Sequence, residues 1–218
     1  MIDKQIGILK KEIKEYTEHI LKMFDKAFSG LESKDKLILE TVITEMEDIA
    51  NRKELEIENL CITTIAQFEP RAQNLRFVLM VLKINNDLER IADLIVNICV
   101  CSKRLIKAGS PDILSRIREI SKIVNKMLFD TLSAFDSEDS KYAREIFMRD
   151  DIVDNMRDEV YREEIARMND RPEIIKSSLQ VIKISHNLER IADLTTNFCE
   201  DIIYYLDGDI IKHHTDEI

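Results

Sequence analysis

Val81-Leu82-Lys83-Ile84-Asn85-Asn86-Asp87-Leu88-Glu89-Arg90-Ile91-Ala92-Asp93-Leu94-Ile95-Val96-Asn97-Ile98-Cys99 and Val181-Ile182-Lys183-Ile184-Ser185-His186-Asn187-Leu188-Glu189-Arg190-Ile191-Ala192-Asp193-Leu194-Thr195-Thr196-Asn197-Phe198-Cys199 belong to one chain. Aligned at an offset of 100 residues, they agree at twelve of nineteen positions. In the first copy Phe77, Val81, Ile84, Leu88, Ile91, Ile95 and Ile98 recur every three or four residues, the period of an α-helix with one buried face. The second copy repeats the pattern with Val181, Ile184, Leu188, Ile191 and Phe198. A long helix occurring twice at fixed spacing marks a tandem duplication.

Working outward, the helix breakers fall at matching places in each copy. Gly30 with Ser33, Pro70, Gly109-Ser110-Pro111, the cluster Asp136-Ser137-Glu138-Asp139-Ser140, Asp170-Arg171-Pro172 and Gly208 divide the chain into six segments. Helices are expected near 3–29, 33–68, 71–107, 111–135, 138–169 and 172–207. Ser33, Ser110 and Asp170 read as N-caps, with Pro111 at the first helical position. Short connections imply antiparallel neighbours. The expected fold is therefore all-α: two tandem three-helix bundles, residues 1–108 and 109–210, with six long antiparallel helices related by a pseudo-twofold repeat. A disordered tail is expected over 211–218, including His213 and His214.

The composition agrees. Only four Gly and three Pro occur in 218 residues, with 34% charged and 44% hydrophobic side chains, which favours helix and excludes a Gly/Pro-rich β-sandwich. Forty-two acidic against 32 basic residues give a net charge of −10, which opposes binding to a phosphate backbone, so no nucleic-acid partner is expected. The apolar runs Phe77–Leu82 and Leu94–Cys101 are far short of the about 20 residues that span a bilayer. The N-terminus lacks the apolar core of a signal peptide. A cytoplasmic location without membrane insertion is expected. Cys61, Cys99, Cys101 and Cys199 lie in apolar helical stretches with no C-x-x-C pair, and read as reduced core thiols.

Nearly opposite the buried stripe runs a second one, Leu75, Leu79, Leu82, Asn86, Glu89, Asp93, Val96 and Val100, apolar at its ends and polar in the middle. The second copy matches it with Ile175, Leu179, Ile182, His186, Glu189, Asp193 and Thr196. Glu89 with Asp93, and Glu189 with Asp193, stand one turn apart on one face, where like charges repel. A cation must oppose them. It is either a nearby guanidinium, Arg90 or Arg190, or a metal ion taking hard oxygen ligands from facing helices. On the second helices Glu47 with Asn51, and Asp150 with Asp154, repeat the i,i+4 spacing and could stand alongside. The metal candidates are therefore Glu89, Asp93, Glu189, Asp193, Asp150, Asp154 and Glu47, with His186 as a secondary one. A structural helical scaffold with solvated acid pairs is the alternative. A carboxylate-bridged metalloenzyme is a further one, disfavoured because no pocket accompanies the acids. The di-iron Glu-x-x-His signature, a Walker-type Gly-Lys loop and a G-x-S-x-G elbow are all absent, so no enzyme is expected.

The duplicated Leu88-Glu89-Arg90-Ile91-Ala92-Asp93 and Leu188-Glu189-Arg190-Ile191-Ala192-Asp193, each on the third helix of a three-helix repeat, resemble the PhoU family of phosphate-signalling regulators, and the resemblance covers essentially the whole chain. It implies a cytoplasmic adaptor that negatively regulates phosphate uptake and phosphate-starvation signalling. The implied partners are the ATPase subunit of a phosphate ABC transporter and a sensor histidine kinase, and the implied assembly is a homodimer. It also implies multinuclear iron or zinc clusters, or magnesium or manganese, on Glu89, Asp93, Glu189 and Asp193, with Glu47, Asp150 and Asp154 contributing. Two positions depart from the family pattern: Asn74-Leu75-Arg76 replaces its Asp-Leu-Arg, and Asn51 stands where the second repeat has Asp154. Asn is a neutral and poorer ligand, so the first site is expected to bind metal more weakly than the second, or with fewer ions.

Overall fold

A computed structural model describes residues 2–109 and 114–208. Its helices are α1 (Ile2–Ser33), α2 (Lys36–Thr41), α3 (Glu47–Phe68), α4 (Gln73–Ala108), α5 (Leu114–Ser137), α6 (Ser140–Phe147), α7 (Asp150–Asp170) and α8 (Ile175–Asp207). A turn of π-helix at Val42–Met46 joins α2 to α3, and a 3₁₀ turn at Pro172–Ile174 leads into α8. No strand occurs among the described residues. The chain thus makes three helical arms in each half: α1, α2–α3 and α4, then α5, α6–α7 and α8. The expected Ser110–Pro111 cap and the tail at 211–218 lie outside the described residues.

Two of the six arms are less regular than their breaker pattern implied. Ser33 does not open the second arm; it closes α1, its Oγ donating to the Ser29 carbonyl at 2.7 Å. The cap is Asp35, whose Oδ1 accepts from the Leu37 and Ile38 amides, after Lys34 has reversed the chain at φ 57°. Gly30 lies inside α1, not at its end. A Cβ there would stand 2.9 Å from Leu39 Cδ2, so its missing side chain is what lets α2 lie against α1. The second half repeats this corner with Glu138 at φ 51° and Asp139 accepting from the Tyr142 amide. In the fifth arm a turn at Met148–Arg149 separates α6 from α7, and Arg149 Nη1 donates to Asp130 Oδ2 at 2.5 Å. Asp170 ends α7 and caps nothing; Pro172 opens the 3₁₀ turn instead.

The halves do not keep separate cores. One continuous hydrophobic cluster draws on both, and its centre is the duplicated helix: α4 against α8 is the most extensive packing in the molecule. The stripe Phe77, Val81, Ile84, Leu88, Ile91, Ile95 and Ile98 is buried throughout, as are Val181, Ile184, Leu188, Ile191 and Phe198. Each such side chain contributes about 1.5–3 kcal/mol on leaving water. Edge-to-face aromatic pairs, Phe77 with Tyr205 at 5.3 Å and Phe135 with Phe198 at 5.8 Å, tie α8 to α4 and α5. The four cysteines are free and buried, and desolvation pushes the thiols of Cys61, Cys99 and Cys199 up to about 12.

By contrast, α3 and α7 bury only a thin stripe, Ala50, Ile57, Cys61 and Thr64 in one and Val153, Val160 and Glu164 in the other. They lie outermost. Each leaves a broad face open beside the polar stretch of α4 or α8, and it is there that the candidate ligands stand.

Candidate functional site

The second half brings its predicted residues together. Carboxylate oxygens of Asp154 from α7 and of Glu189 and Asp193 from α8 all lie within 4.8 Å of one another. Asp150, one turn before Asp154, joins them electrostatically. Its carboxyl is raised to about 6, first by desolvation and then by the charges of Asp193, Asp154, Asp151 and Glu189. Asp193 is raised to about 6 as well, by desolvation and then by Glu189 and Asp154, with Arg157 and His186 pulling the other way. Two carboxyls held this high report desolvation first and then mutual repulsion, and a bound cation would offset both.

Several polar atoms here are buried without hydrogen-bond partners: Asp150 Oδ1, Asp154 Oδ1 and Arg157 Nε. Buried polar atoms are ordinarily satisfied. Two such carboxylate oxygens on α7, facing Glu189 and Asp193 of α8, fit a hard cation taking oxygen ligands. His186 is exposed, with Nδ1 at 3.1 Å from Glu189 Oε2. It stands at the rim of the cluster as a partner of Glu189.

The first half is arranged differently. Glu47 on α3 is raised by desolvation and then by Asp93. Glu89 is raised by desolvation, then by Asp93 and Glu54, and Arg90 offsets part of this. These acids face one another, yet among the described residues only the second-half trio gathers within 4.8 Å. Tyr16 reaches the cluster from α1. Its side chain is fully buried, its hydroxyl has no hydrogen-bond partner, and the charges acting on it are those of Glu89, Glu54 and Asp93.

Three participants escaped the sequence reading: Tyr16, Glu54 and Arg157. Glu54 lies seven residues after Glu47, and Arg157 seven after Asp150, two turns along the same face, so the i,i+7 step would have found both. Tyr16 carried no such signal, because it comes from a helix without a motif. The neighbouring arginines offered as one source of the opposing charge form no ion pair with these acids among the described residues, although Arg90 acts on Glu89 electrostatically. Arg90 points outward and comes within 4.0 Å of Asp87. Arg190 makes no ion pair among the described residues, and the guanidinium inside the second cluster is Arg157, 3.3 Å from Glu189 and 3.6 Å from Asp154.

The polar stripe continues into open apolar surface. Ile62 and Ile65 on α3 and Leu79 on α4, with Ile165 on α7 and Ile175 and Leu179 on α8 in the second half, remain substantially exposed. Helical spacing sets them on the faces that carry the acids. No helix of the described chain is long and apolar enough to cross a membrane.

Known proteins are similar to this chain in sequence and fold. A phosphate-specific transport system accessory protein PhoU homolog of Clostridium acetobutylicum is 32% identical over 209 residues, covering 92% of this chain and 95% of its own. The PhoU homolog 1 of Thermotoga maritima is 28% identical over 214 residues, covering 96% of this chain and 90% of its own. Among solved structures, PhoU from Pseudomonas aeruginosa superposes with a TM-score of 0.92 at 27% identity, over 96% of this chain and the whole of the other. The phosphate transport system regulatory protein PhoU from Streptococcus pneumoniae gives 0.91 at 27% identity, over 98% and 100%. The PhoU domain profile matches twice, over residues 13–101 and 117–202, one match to each half, and the chain belongs to the PhoU family.

Proposed function

We propose that this protein is a metal-binding cytoplasmic adaptor that negatively regulates phosphate uptake and phosphate-starvation signalling. Its proposed partners are the ATPase subunit of a phosphate ABC transporter and a sensor histidine kinase. The relatives in Clostridium acetobutylicum and Thermotoga maritima are named as accessory proteins of the phosphate-specific transport system, which supports this reading. The proposed role is regulatory and not catalytic, in keeping with those relatives' names.

The observation that carries the proposal is the second-half carboxylate cluster, where oxygens of Asp154, Glu189 and Asp193 gather within 4.8 Å and Asp150 Oδ1 and Asp154 Oδ1 are buried without hydrogen-bond partners. Glu189, Asp193, Asp150 and Asp154 would hold metal in the second half, and Glu89, Asp93 and Glu47 in the first. Oxygen-only sets of this kind suit magnesium or manganese by ligand chemistry, and multinuclear iron or zinc is what the family resemblance implies. Such a bound cation would supply charge neutralisation and a rigid link between each hairpin's two helices. The apolar strips beside both clusters offer surface for the partners and for a homodimer.

Elemental analysis of protein purified without chelator, paired with thermal unfolding of wild type and a Glu189→Gln/Asp193→Asn variant, tests the metal. Bound metal in wild type is expected, with less metal and a smaller metal-induced stabilisation in the variant. No metal in either protein would reject this part. Deleting the gene should derepress phosphate-scavenging enzymes in phosphate-rich medium, and co-purification with membranes containing the transporter tests the contact; unchanged expression, or no co-purification, would count against the adaptor role.

A further inference from the structure

The two carboxylate clusters occupy equivalent helix positions but are charged differently. On the second arms the halves align at an offset of 103, which pairs the buried Ala50, Ile57 and Cys61 with the buried Val153, Val160 and Glu164. Glu47 then matches Asp150, Asn51 matches Asp154, and Glu54 matches Arg157. One position therefore carries an anion in the first cluster and a guanidinium in the second.

Arg157 fills that position actively. Its Nη2 is 3.3 Å from Glu189 Oε1 and 3.6 Å from Asp154 Oδ1, while Nη1 donates to Asp158 Oδ1 at 2.7 Å. In the first cluster no ion pair among the described residues reaches Glu47, Glu54, Glu89 or Asp93. The buried Tyr16 hydroxyl, unpartnered, faces those acids instead, and the corresponding position of the second half, set by the matching caps Asp35 and Asp139, is Ile120.

We propose that Arg157 is a tethered cation that occupies the second cluster in place of a metal ion, so that the two clusters load in order: the first tightly, the second only when the guanidinium is displaced. This inference rests on reading the carboxylates as metal ligands. A cation entering the second cluster meets a fixed positive charge and must break a charge-assisted hydrogen bond to Glu189 and an ion pair with Asp154, both its own ligands. Asp158, on the outer side, gives the displaced guanidinium a place to rest. At the first cluster Arg90 acts on Glu89 only from outside, with no ion pair to the acids among the described residues; Glu54 adds a carboxylate and Tyr16 a phenol oxygen. The order is the reverse of the one that Asn51 alone implies, because losing one neutral ligand matters less than gaining an internal competitor. A group beside a metal ligand commonly alters affinity by about 10–100-fold, which sets the scale of the difference.

The test is calorimetric titration of chelator-stripped protein with manganese(II), in wild type, Arg157→Gln, Arg157→Lys, Tyr16→Phe, Glu89→Gln/Asp93→Asn and Glu189→Gln/Asp193→Asn, with folding checked by circular dichroism. Wild type should show a tight and a weak class of sites. Glu89→Gln/Asp93→Asn should remove the tight class and Glu189→Gln/Asp193→Asn the weak one. Arg157→Gln should tighten the weak class about tenfold or more and leave the other unchanged, whereas Arg157→Lys, which keeps the charge, should leave it weak. Tyr16→Phe should weaken only the tight class. If Arg157→Gln leaves the weak class unchanged or weakens it, or if the tight class belongs to Glu189 and Asp193, the tethered-cation idea fails while metal binding stands. No heat of binding in any of these proteins would overturn both.

Discussion

Replacing Asp87 by Asn should stabilise the metal-free protein. Asp87 lies on α4 where it meets α8, its side chain 14% exposed, close to Asp201, whose side chain is 11% exposed. Desolvation, then the Asp201 charge, raises its carboxyl to about 6, although Arg90 and Lys83 offset part of the effect. Moving an aspartate from its ordinary value near 4 to about 6 corresponds to about 3 kcal/mol of unfavourable charging in the folded state. Asn removes that cost. It also forfeits the contact with Arg90, 4.0 Å away on a largely exposed side chain, which is worth less than about 0.5 kcal/mol. A net gain of about 2 kcal/mol at pH 7.5 follows. Shape is no obstacle, since the matching position in α8 is Asn187.

The direction with pH follows from linkage. Because the folded-state value is raised, folded wild type binds more protons than unfolded chain between about pH 4 and 6, and loses stability as pH rises through that window. The advantage of Asn should therefore be full above pH 7, fall below about 1 kcal/mol by pH 4.5, and vanish in stronger acid. Urea unfolding in EDTA at a series of pH values measures it. An Asp87→Asn protein less stable than wild type at pH 7.5, or more stable by an amount independent of pH, would refute the reasoning.

Gly30→Ala should destabilise by about 1 kcal/mol, the overpacking against Leu39 outweighing the gain in helix propensity. Gly7→Ala in the same helix, with nothing within 4 Å of its added Cβ, should stabilise by a similar amount; thermal unfolding of the two variants checks the contrast, and equal effects would contradict it. The four buried cysteines should be silent to a thiol reagent at pH 8 until urea is added. A thiol that reacts rapidly in the folded protein would contradict the burial described.

The fold was legible because its decisive signal was duplicated. Phe77 through Ile98 repeats every three or four residues, and the same helix recurs at an offset of 100, so architecture and repeat followed without reference to any neighbour. Local chemistry was less legible wherever two candidate residues competed. Ser33 and Asp35 both suit an N-cap, and only the approach of Leu39 to Gly30 decides that α1 runs on and Asp35 takes the role. At the candidate site, Glu189 and Asp193 were visible because a helix sets its own i,i+4 spacing. The identity of the opposing cation was not, because it depends on a different helix. Arg90 and Arg190 are near in sequence, but helix geometry turns them aside, while Arg157 reaches across from α7. Tyr16 was hidden for the same reason, a single residue delivered from α1.

The π-helical turn at Val42–Met46 sets the angle at which α3 presents its acids. Glu47 lies twelve positions after the cap Asp35, whereas Asp150 lies eleven after Asp139. In an unbroken α-helix one additional residue would rotate everything after it by about 100°, and would swing Glu47 and Glu54 away from α4. A π turn widens the loop of backbone to take in the surplus residue. The insertion is confined to one turn, and α3 leaves it in phase with α7. The two halves have thus diverged in length without losing alignment of their acidic faces, as a gear that has gained a tooth is kept in mesh by slack at a single point.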